Sequence, residues 1–254
     1  MEGLRKNLSI LALLVLIFLS SLFLVYHNFP SLTVDQKSKL IRLPRSLSDV
    51  RDISSVLDLY TEDYYFIVIV GYSLAYLFLQ TFSIPGSVFL SILAGAIFRF
   101  YVGFLLVCTL STVGACNSFL VSKYLCRSLI TQWFPQRISF LHDEVQKRKN
   151  NIFNYVLFLR FTPVVPNWFV NIASPIVGIS LHLFALATFF GVMPQTFVAV
   201  RAGITLHQIT STGELFDWKI FVMLIVLSLV AVLPTLSPFK RLVAKYLDKK
   251  DKET

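Results

Sequence analysis

Residues 158–171 read FLRFTPVVPNWFVN, and this stretch decides how the apolar chain around it can fold. Pro163 and Pro166 lack the backbone N–H that a helix needs, and each disfavours helical geometry in the residue before it. The same stretch holds Arg160 and three polar side chains within sequence that is apolar enough for a membrane interior. Because a break in a membrane helix frees polar backbone groups that lipid cannot satisfy, we expect a re-entrant turn covered by protein or facing a water-filled cavity.

The composition predicts an integral membrane protein. Of the 254 residues, 56% are hydrophobic and 24 are Phe, which is more apolar side chain than a soluble core of this length could bury. The formal charge of +9 is carried mainly by flanks between apolar segments. That placement is typical of membrane orientation and argues against nucleic acid as a partner.

The sequence offers no pattern for metal binding or catalysis. Cys108, Cys116 and Cys126 form no CxxC pair, the four histidines are scattered, and neither a phosphate-binding loop for ATP nor a serine triad can be identified. Buried cysteines usually act as small hydrophobic residues. We therefore expect no metal, no cofactor and no enzymatic activity.

The distribution of charge predicts the orientation of the chain. Residues 1–26 read as a transmembrane anchor with a cytosolic start, and residues 27–63 form a polar segment with five basic and six acidic side chains, which fits the non-cytosolic side. Residues 123–151 carry six Lys or Arg against two acids, and the tail at residues 237–254 carries six against three. Both excesses predict the cytosolic side, and with it two cytosolic termini.

These assignments limit how the intervening segments can cross. Residues 64–98 are broken at Pro85 and Gly86, and the second arm would reach roughly 16 Å at about 1.5 Å per residue, too short to span. This segment must return as a hairpin, leaving residues 101–125 to cross. Residues 152–174 repeat the plan from the opposite side, followed by crossings at residues 181–202 and 218–236.

We therefore predict an all-α polytopic membrane protein with an inverted-repeat arrangement: two facing re-entrant helical hairpins plus crossing helices. The domain proper would be residues 64–217, with hairpins at residues 64–98 and 152–174. The amino-acid sequences of the two halves are too dissimilar to establish a repeat by themselves. Within the polar segment, residues 45–60 predict a short amphipathic helix with Leu47, Val50 and Ile53 on its apolar side, lying on the membrane or on the domain.

Three stretches carry a resemblance to a known family: LQTFSIPGSVFLSILAG at residues 79–95, FLRFTPVVPNWFVNIASP at 158–175 and FFGVMPQTFVAVRAGITL at 189–206. In this order and spacing they resemble the VTT-domain (DedA) superfamily, most closely its transmembrane protein 41 branch. The resemblance implies a phospholipid scramblase of the endoplasmic reticulum, and the lack of carboxylates in the apolar segments favours energy-independent lipid exchange. The resemblance further implies support of autophagosome formation, lipid mobilisation and lipoprotein export, with phospholipids as ligands and lipid-transfer or autophagy proteins as partners. The family's hairpin motifs fall on Pro85, Gly86, Arg160, Pro163, Pro166, Asn167 and Asn171.

The roles of individual residues stay open between two readings. Arg160 would either hold a lipid phosphate or bond the carbonyls that the break frees, and Asn167 and Asn171 would either line the same path or brace the hairpin. Arg201 would contact lipid near the path or act as an interfacial anchor. The remaining candidates are Lys147, Arg148 and Lys149 for lipid headgroups, against ordinary orientation charge, and Lys250 and Lys252 for a lysine-based retrieval signal to the endoplasmic reticulum.

Two other functions are compatible with the sequence. A membrane-shaping protein that recruits lipid-handling partners is one alternative, and an ion-coupled transporter of anionic lipid-like substrates is another. The transporter is disfavoured because no Asp or Glu occurs in residues 64–142 or 151–213, and only Glu62 and Asp63 stand at the edge of an apolar segment.

Overall fold

The computed structural model describes residues 2–133, 135–162, 165–206, 222 and 226. All regular secondary structure in this part of the chain is helical. In chain order the helices are α1 (Glu2–His27), α2 (Val34–Leu40), α3 (Leu47–Thr61), α4 (Tyr65–Thr81), α5 (Ser87–Val121), α6 (Arg127–Trp133), α7 (Pro135–Lys147), α8 (Ile152–Phe161), α9 (Asn167–Ile176) and α10 (Leu181–Ile204). A π-helical turn, Ser122–Cys126, joins α5 to α6, and a 3₁₀ turn, Lys149–Asn151, precedes α8.

Three of the described helical runs are long and apolar enough to cross a membrane: Arg5–His27, Ser87–Trp133 and Leu181–Ile204. The apolar helices α4 and α8 are shorter. The prediction of an all-α polytopic membrane protein is confirmed. The expected last crossing at residues 218–236 and the tail at residues 237–254 lie almost wholly outside the described residues.

The run that begins at Ser87 is not one straight helix, because it breaks at Arg99. Arg99 has φ 59° and ψ −174°, which is not a helical conformation. The break separates a short arm, residues 87–98, from a long arm, residues 100–121. Phe98 at the end of the short arm packs edge-on against Tyr65 at the start of α4, with ring centroids 6.0 Å apart. Helix α4 and the short arm therefore form a closed hairpin whose tip is at residues 82–86.

The second hairpin consists of α8 and α9. Helix α8 ends at Phe161, and Pro166 stands immediately before α9 with φ −62° and ψ 134°. A proline suits this position because it needs no backbone N–H there and its fixed φ is extended. Pro163 lies outside the described residues, so its part in the break stays a prediction.

Side-chain contacts establish which helix ends lie together. At one end Asn7 Nδ2 donates to the carbonyl oxygen of Leu125 at 3.2 Å, and we call this the inner end. At the opposite end Arg51 Nη2 donates to the carbonyl oxygen of Leu206 at 2.9 Å, and we call this the outer end. The first hairpin has its base at the outer end and the second has its base at the inner end. The charge distribution predicts that the inner end is cytosolic.

Helix α10 runs along both arms of α5 in very close contact. A Cβ atom added at Gly95 would overlap the backbone of Val200, and one added at Gly203 would overlap the carbonyl oxygen of Ile92. Small residues permit this approach of two helix backbones, as they do at many membrane helix interfaces. The short arm is thereby fixed against the outer half of α10, with the hairpin tip directed toward its middle.

Helices α2 and α3 pack against the domain. Thr33 and Ser46 cap them through reciprocal side-chain bonds with Gln36 and Asp49, which satisfies the free N–H groups of the first turn. The buried side of α3 joins the same apolar core as the short arm through Leu47 6%, Val50 0% and Ile53 5% exposed. Of the two positions open from the sequence, α3 takes the one on the domain.

We expect Gly95→Val and Gly203→Val to lower the free energy of unfolding by about 1–3 kcal/mol or more, because the new side chain would meet backbone that cannot move without separating α5 from α10. Thermal unfolding of the detergent-solubilised protein, in a background with Cys116→Ser and Cys126→Ser, can be followed by a fluorogenic thiol reagent, since the remaining Cys108 is fully buried. Val113→Leu, on the half-exposed side of the long arm, is the matched control. Unfolding of either glycine variant at the control's temperature would contradict the close packing.

The carboxylate of Asp49 makes the stability of the N-terminal cap of α3 depend on pH. The backbone N–H of Arg45 donates to its carboxylate, and together with Ser46 this lowers the pKa of Asp49. Because the pKa is lower in the folded state, the stabilisation is present at neutral pH and is lost as pH falls through the folded pKa. Asp49→Asn should therefore cost about 0.5–1 kcal/mol at pH 7, the usual size of a capping interaction, and the gap between the melting temperatures of wild type and variant should close toward pH 3. Glu62→Gln, beyond the other end of α3, is the control.

Candidate functional site

Arg160 lies at the centre of a buried polar cluster in the second hairpin. It stands in the last turn of α8, and its side chain is 4% exposed. Nε and Nη2 donate to Thr188 Oγ1 on α10 at 3.2 and 2.9 Å, and Nη2 also donates to Asn171 Oδ1 at 2.7 Å. Nη1 donates to the side-chain and backbone oxygens of Asn167 at 3.2 and 3.4 Å. The five N–H donors of a guanidinium thus all have protein acceptors.

This geometry ties together the two arms of the hairpin and the crossing helix that follows. Asn167 and Asn171 both belong to α9, while Thr188 belongs to α10. The ring of Phe184 lies beneath the guanidinium, with Arg160 Cζ 4.9 Å from the ring centroid. Each acceptor is neutral, so the cluster satisfies the hydrogen bonds of Arg160 without supplying a negative charge.

A cavity of about 90 Å³ separates this cluster from the tip of the first hairpin. A polar void of that size can hold several water molecules. Its polar lining comes from both hairpins and both long helices: Tyr76, Gln80, Ser87, Ser91, Ser111, Arg160, Asn167, Thr188, Gln195 and Thr196. The two hairpins, which enter from opposite ends, therefore meet at a shared hydrophilic space.

The first hairpin contributes a second, uncharged cluster. The hydroxyl of Tyr76 on α4 is 2.7 Å from Ser111 Oγ on the long arm and 3.1 Å from Ser91 Oγ on the short arm. Tyr76 is 2% exposed. As in the second hairpin, a polar side chain on the entering arm bonds the returning arm and the crossing helix at once.

The two clusters occupy matching positions in an internal repeat. LFLQ at residues 77–80 corresponds to LFLR at residues 157–160, so Gln80 is the counterpart of Arg160. The same offset in numbering pairs Ser87 with Asn167 and Ser91 with Asn171. In the crossing helices a slightly smaller offset, again constant, pairs Ser111 with Thr188 and Ser118 with Gln195.

Two glycines confirm that the matched positions pack alike. A Cβ added at Gly191 would overlap the side chain of Arg160, and a Cβ added at Gly114 would overlap the side chain of Gln80. Gly114 and Gly191 are themselves related by the offset of the crossing helices. The repeat, which the letters alone did not establish, is therefore present in the contacts, and Gln80 and Tyr76 are cavity residues that sequence reasoning missed. The constant spacing was a signal that could have found Gln80, but not Tyr76, whose counterpart at the same offset is Val156.

Not all of the predicted site residues face the cavity. Arg160 and Asn167 line it, Asn171 is buried behind Arg160, and Pro85 and Gly86 form the first tip, where Gly86 has φ 125°. That conformation favours glycine over other residues. Pro166 is exposed at the start of α9.

The basic candidates lie away from the cavity. Arg201 is exposed near the outer end, where its guanidinium stacks over Phe100 and Phe197 at 5.1 and 5.7 Å. At the inner end Lys147 bonds Glu144 at 2.8 Å, and Arg148 pairs with the same carboxylate. These contacts lower the pKa of Glu144. Lys149 lies in the short turn before α8, and the retrieval candidates Lys250 and Lys252 lie outside the described residues.

Comparison with known proteins gives a consistent set of relatives. The family model of the VTT domain matches residues 84–205. Transmembrane protein 41 homolog of Dictyostelium discoideum is 47% identical over 209 residues, covering 82% of this chain and 62% of that protein. Transmembrane protein 41B of Xenopus tropicalis is 40% identical over 232 residues, covering 91% and 83%. The Drosophila melanogaster homolog is 41% identical over 232 residues, covering 91% and 72%.

The chain therefore spans less than two thirds of the Dictyostelium relative, and more than two thirds of the other two. No solved structure matches it.

Arg160→Lys is expected to lower the free energy of unfolding by about 1–3 kcal/mol, because a lysine ammonium cannot reach Thr188, Asn167 and Asn171 together and leaves buried polar atoms without partners. The Cys108 thiol-reactivity melt measures the change. Arg201→Lys is the control, since that arginine is exposed and its loss removes only ring stacking. Equal melting temperatures for the two variants would show that the Arg160 cluster does not hold the hairpin.

Proposed function

Because the chain belongs to the transmembrane protein 41 branch of the VTT-domain superfamily, we propose that it is an energy-independent phospholipid scramblase. It would equilibrate lipids between the leaflets of the endoplasmic reticulum membrane, with both termini cytosolic. This activity would support autophagosome formation and lipid mobilisation or lipoprotein export, together with lipid-transfer and autophagy proteins as partners.

The observation that carries the proposal is the polar cavity between the two hairpin tips. A phospholipid headgroup crosses a bilayer slowly because hydrocarbon does not solvate its charges. A cavity lined by hydroxyl, amide and guanidinium groups replaces part of that solvation where the bilayer is most apolar. Gln80 and Ser87 supply such groups on one side, and Arg160 and Gln195 supply them on the other.

The charge of Arg160 suits a phosphate. The guanidinium is charged at neutral pH because arginine is a strong base, and its neutral partners leave that charge unbalanced in surroundings where an isolated charge is costly. A phosphate oxygen would replace Thr188 or Asn167 as hydrogen-bond acceptor, and its negative charge would balance the positive charge of Arg160. In the described conformation Arg160 braces the hairpin; we assign contact with lipid phosphate to a conformation in which α8 and α9 have separated from α10.

The absence of acidic residues from both membrane stretches supports lipid exchange without an ion gradient. Proton- and cation-coupled transporters place carboxylates in the membrane to bind the coupling ion. Residues 64–142 and 151–213 contain none. A path lined by neutral groups and one arginine would let lipids move down their own concentration difference.

Reconstitution into liposomes tests the proposal. Liposomes with a fluorescent phospholipid in both leaflets are treated with a membrane-impermeant quencher, and the wild-type protein is expected to expose the inner-leaflet pool without ATP or a proton gradient. Gln80→Leu and Gln195→Leu should slow exchange by about ten-fold, because each removes one polar group from the cavity at a cost of roughly 1.4 kcal/mol.

Phe190→Leu is the control for these variants, since Phe190 is 48% exposed on α10 and does not line the cavity. Its exchange rate should match that of wild type. Retention of half of the fluorescence by liposomes that contain folded wild-type protein would rule out scrambling and favour a role in shaping membranes or recruiting partners.

A further inference from the structure

Helices α2 and α3 form a polar pair that follows the first hairpin from its base to its tip. Tyr60 near the end of α3 donates to Gln36 Oε1 near the start of α2 at 3.1 Å, so the two helices run antiparallel. Their connection reaches the hairpin tip, where the carbonyl oxygen of Pro44 lies 3.7 Å from the position of a Cβ at Gly86. This pair precedes residues 84–205, the part of the chain that the VTT family model covers.

Helix α1 shows how deep that connection lies. The ring of Phe18 packs against Phe78 and Phe82 at the hairpin tip, with centroids 5.9 Å apart in both pairs. Phe18 is nine residues before the end of α1 at His27, which corresponds to about 14 Å at about 1.5 Å per residue. If α1 spans the bilayer, Gly86 lies near the middle of a hydrocarbon layer about 30 Å thick.

Charged side chains lie next to Pro44, at the depth of the first hairpin tip. Arg42 and Arg45 flank Pro44, and both are exposed. Asp52 is exposed on α3, whose opposite side is buried against the short arm. Hydrocarbon strongly disfavours such groups, and charges at this depth are normally found facing water or a polar cavity. The side of the first hairpin that carries α2 and α3 must therefore be wet, through a groove or a local thinning of the bilayer.

We propose that the exposed face of α2 and α3 is a water-filled track that carries zwitterionic phospholipid headgroups between the outer membrane surface and the first hairpin tip. This inference rests on the proposed function and adds a substrate class to it. Arg42 and Arg45 would donate hydrogen bonds to the phosphate at the deep end, and the carboxylate of Asp52 would attract the positively charged ammonium group of the headgroup nearer the surface. The acyl chains would stay in the surrounding lipid.

The mixed charge of the segment favours zwitterionic lipids over anionic ones. Five basic and six acidic side chains between residues 27 and 63 give it almost no net charge. A site for anionic lipid would instead carry a clear excess of Lys and Arg. Basic and acidic side chains in similar numbers suit a headgroup that carries a negative phosphate and a positive ammonium group a few bonds apart.

Spin labelling tests whether the track is wet. The full-length protein with Cys116→Ser and Cys126→Ser keeps the buried Cys108, and a nitroxide is attached at Arg45→Cys or at Ile17→Cys in liposomes. Ile17 is the depth-matched control, because it is 53% exposed on α1 next to Phe18. We expect a water-soluble nickel complex to relax the label at position 45 and molecular oxygen to relax the label at position 17. Preference for oxygen at both positions would overturn the proposal.

Lipid exchange tests whether headgroups use the track. The double variant Arg42→Glu with Arg45→Glu should slow exchange of fluorescent phosphatidylcholine by at least about five-fold, as expected for reversing charges that attract phosphate near a membrane. The double variant Arg42→Lys with Arg45→Lys should keep most of the rate. Both must melt at the wild-type temperature to be compared.

The outcomes separate the two proposals. Exchange by the Glu variant at the wild-type rate would overturn the track while leaving the scramblase proposal intact. Failure of the wild-type protein to exchange lipid would overturn the scramblase proposal, and a wet label at position 45 would then show an aqueous groove that carries no lipid.

Discussion

The architecture depends on one constraint: helices that end inside an apolar layer leave backbone groups that lipid cannot satisfy. Each hairpin tip resolves this locally. In the first tip the N–H of Ile84 donates to the carbonyl of Leu79, in the last turn of α4, at 2.8 Å. In the second, the N–H of Thr162 donates to the carbonyl of Phe158, in the last turn of α8, at 2.9 Å. Backbone bonds thus close the helix ends at the tips, while the polar side chains of the two clusters tie the arms of each hairpin to each other and to a crossing helix.

The matched glycines explain why both hairpins can deliver their polar groups to one place. Gly114 and Gly191 let the crossing helices touch the end of each entering arm, so Ser111 and Thr188 come within hydrogen-bonding distance of Tyr76 and Arg160. The two halves share this backbone geometry and differ in chemistry. One half presents hydroxyls and an amide, and the other presents a cation, so both halves give the cavity polar groups among its apolar lining, with a positive charge on one side.

The sequence predicted the features that depend only on neighbouring residues, namely the helix breaks and the membrane side of each loop. Pro85, Gly86 and Pro166 predict the breaks in the two hairpins. The numbers of basic and acidic residues predict which loops lie on the cytosolic side of the membrane. The break at Arg99 falls between the predicted end of the first hairpin at residue 98 and the predicted start of the crossing at residue 101, although neither Pro nor Gly marks it. The ion pairs of Lys147 and Arg148 with Glu144 were not predicted, because the positive-inside rule counts basic residues and does not consider which acidic residue lies next to them in the helix. The route of α2 and α3 to the hairpin tip depends on contacts such as that between Pro44 and Gly86, which lie far apart in the sequence.

The neutrality of the acceptors around Arg160 is the feature that best separates a lipid path from a purely structural brace. A charged residue inside a membrane domain is normally paired with an opposite charge or with backbone carbonyls. Here Thr188, Asn167 and Asn171 satisfy the geometry of the guanidinium and leave its charge uncompensated. Hydrogen bonds to neutral groups can be exchanged for bonds to a phosphate, whereas a carboxylate would compete with it. The same residues therefore close the second hairpin in the described conformation and leave Arg160 without an anionic partner, which is the feature on which the proposed contact with a lipid phosphate rests.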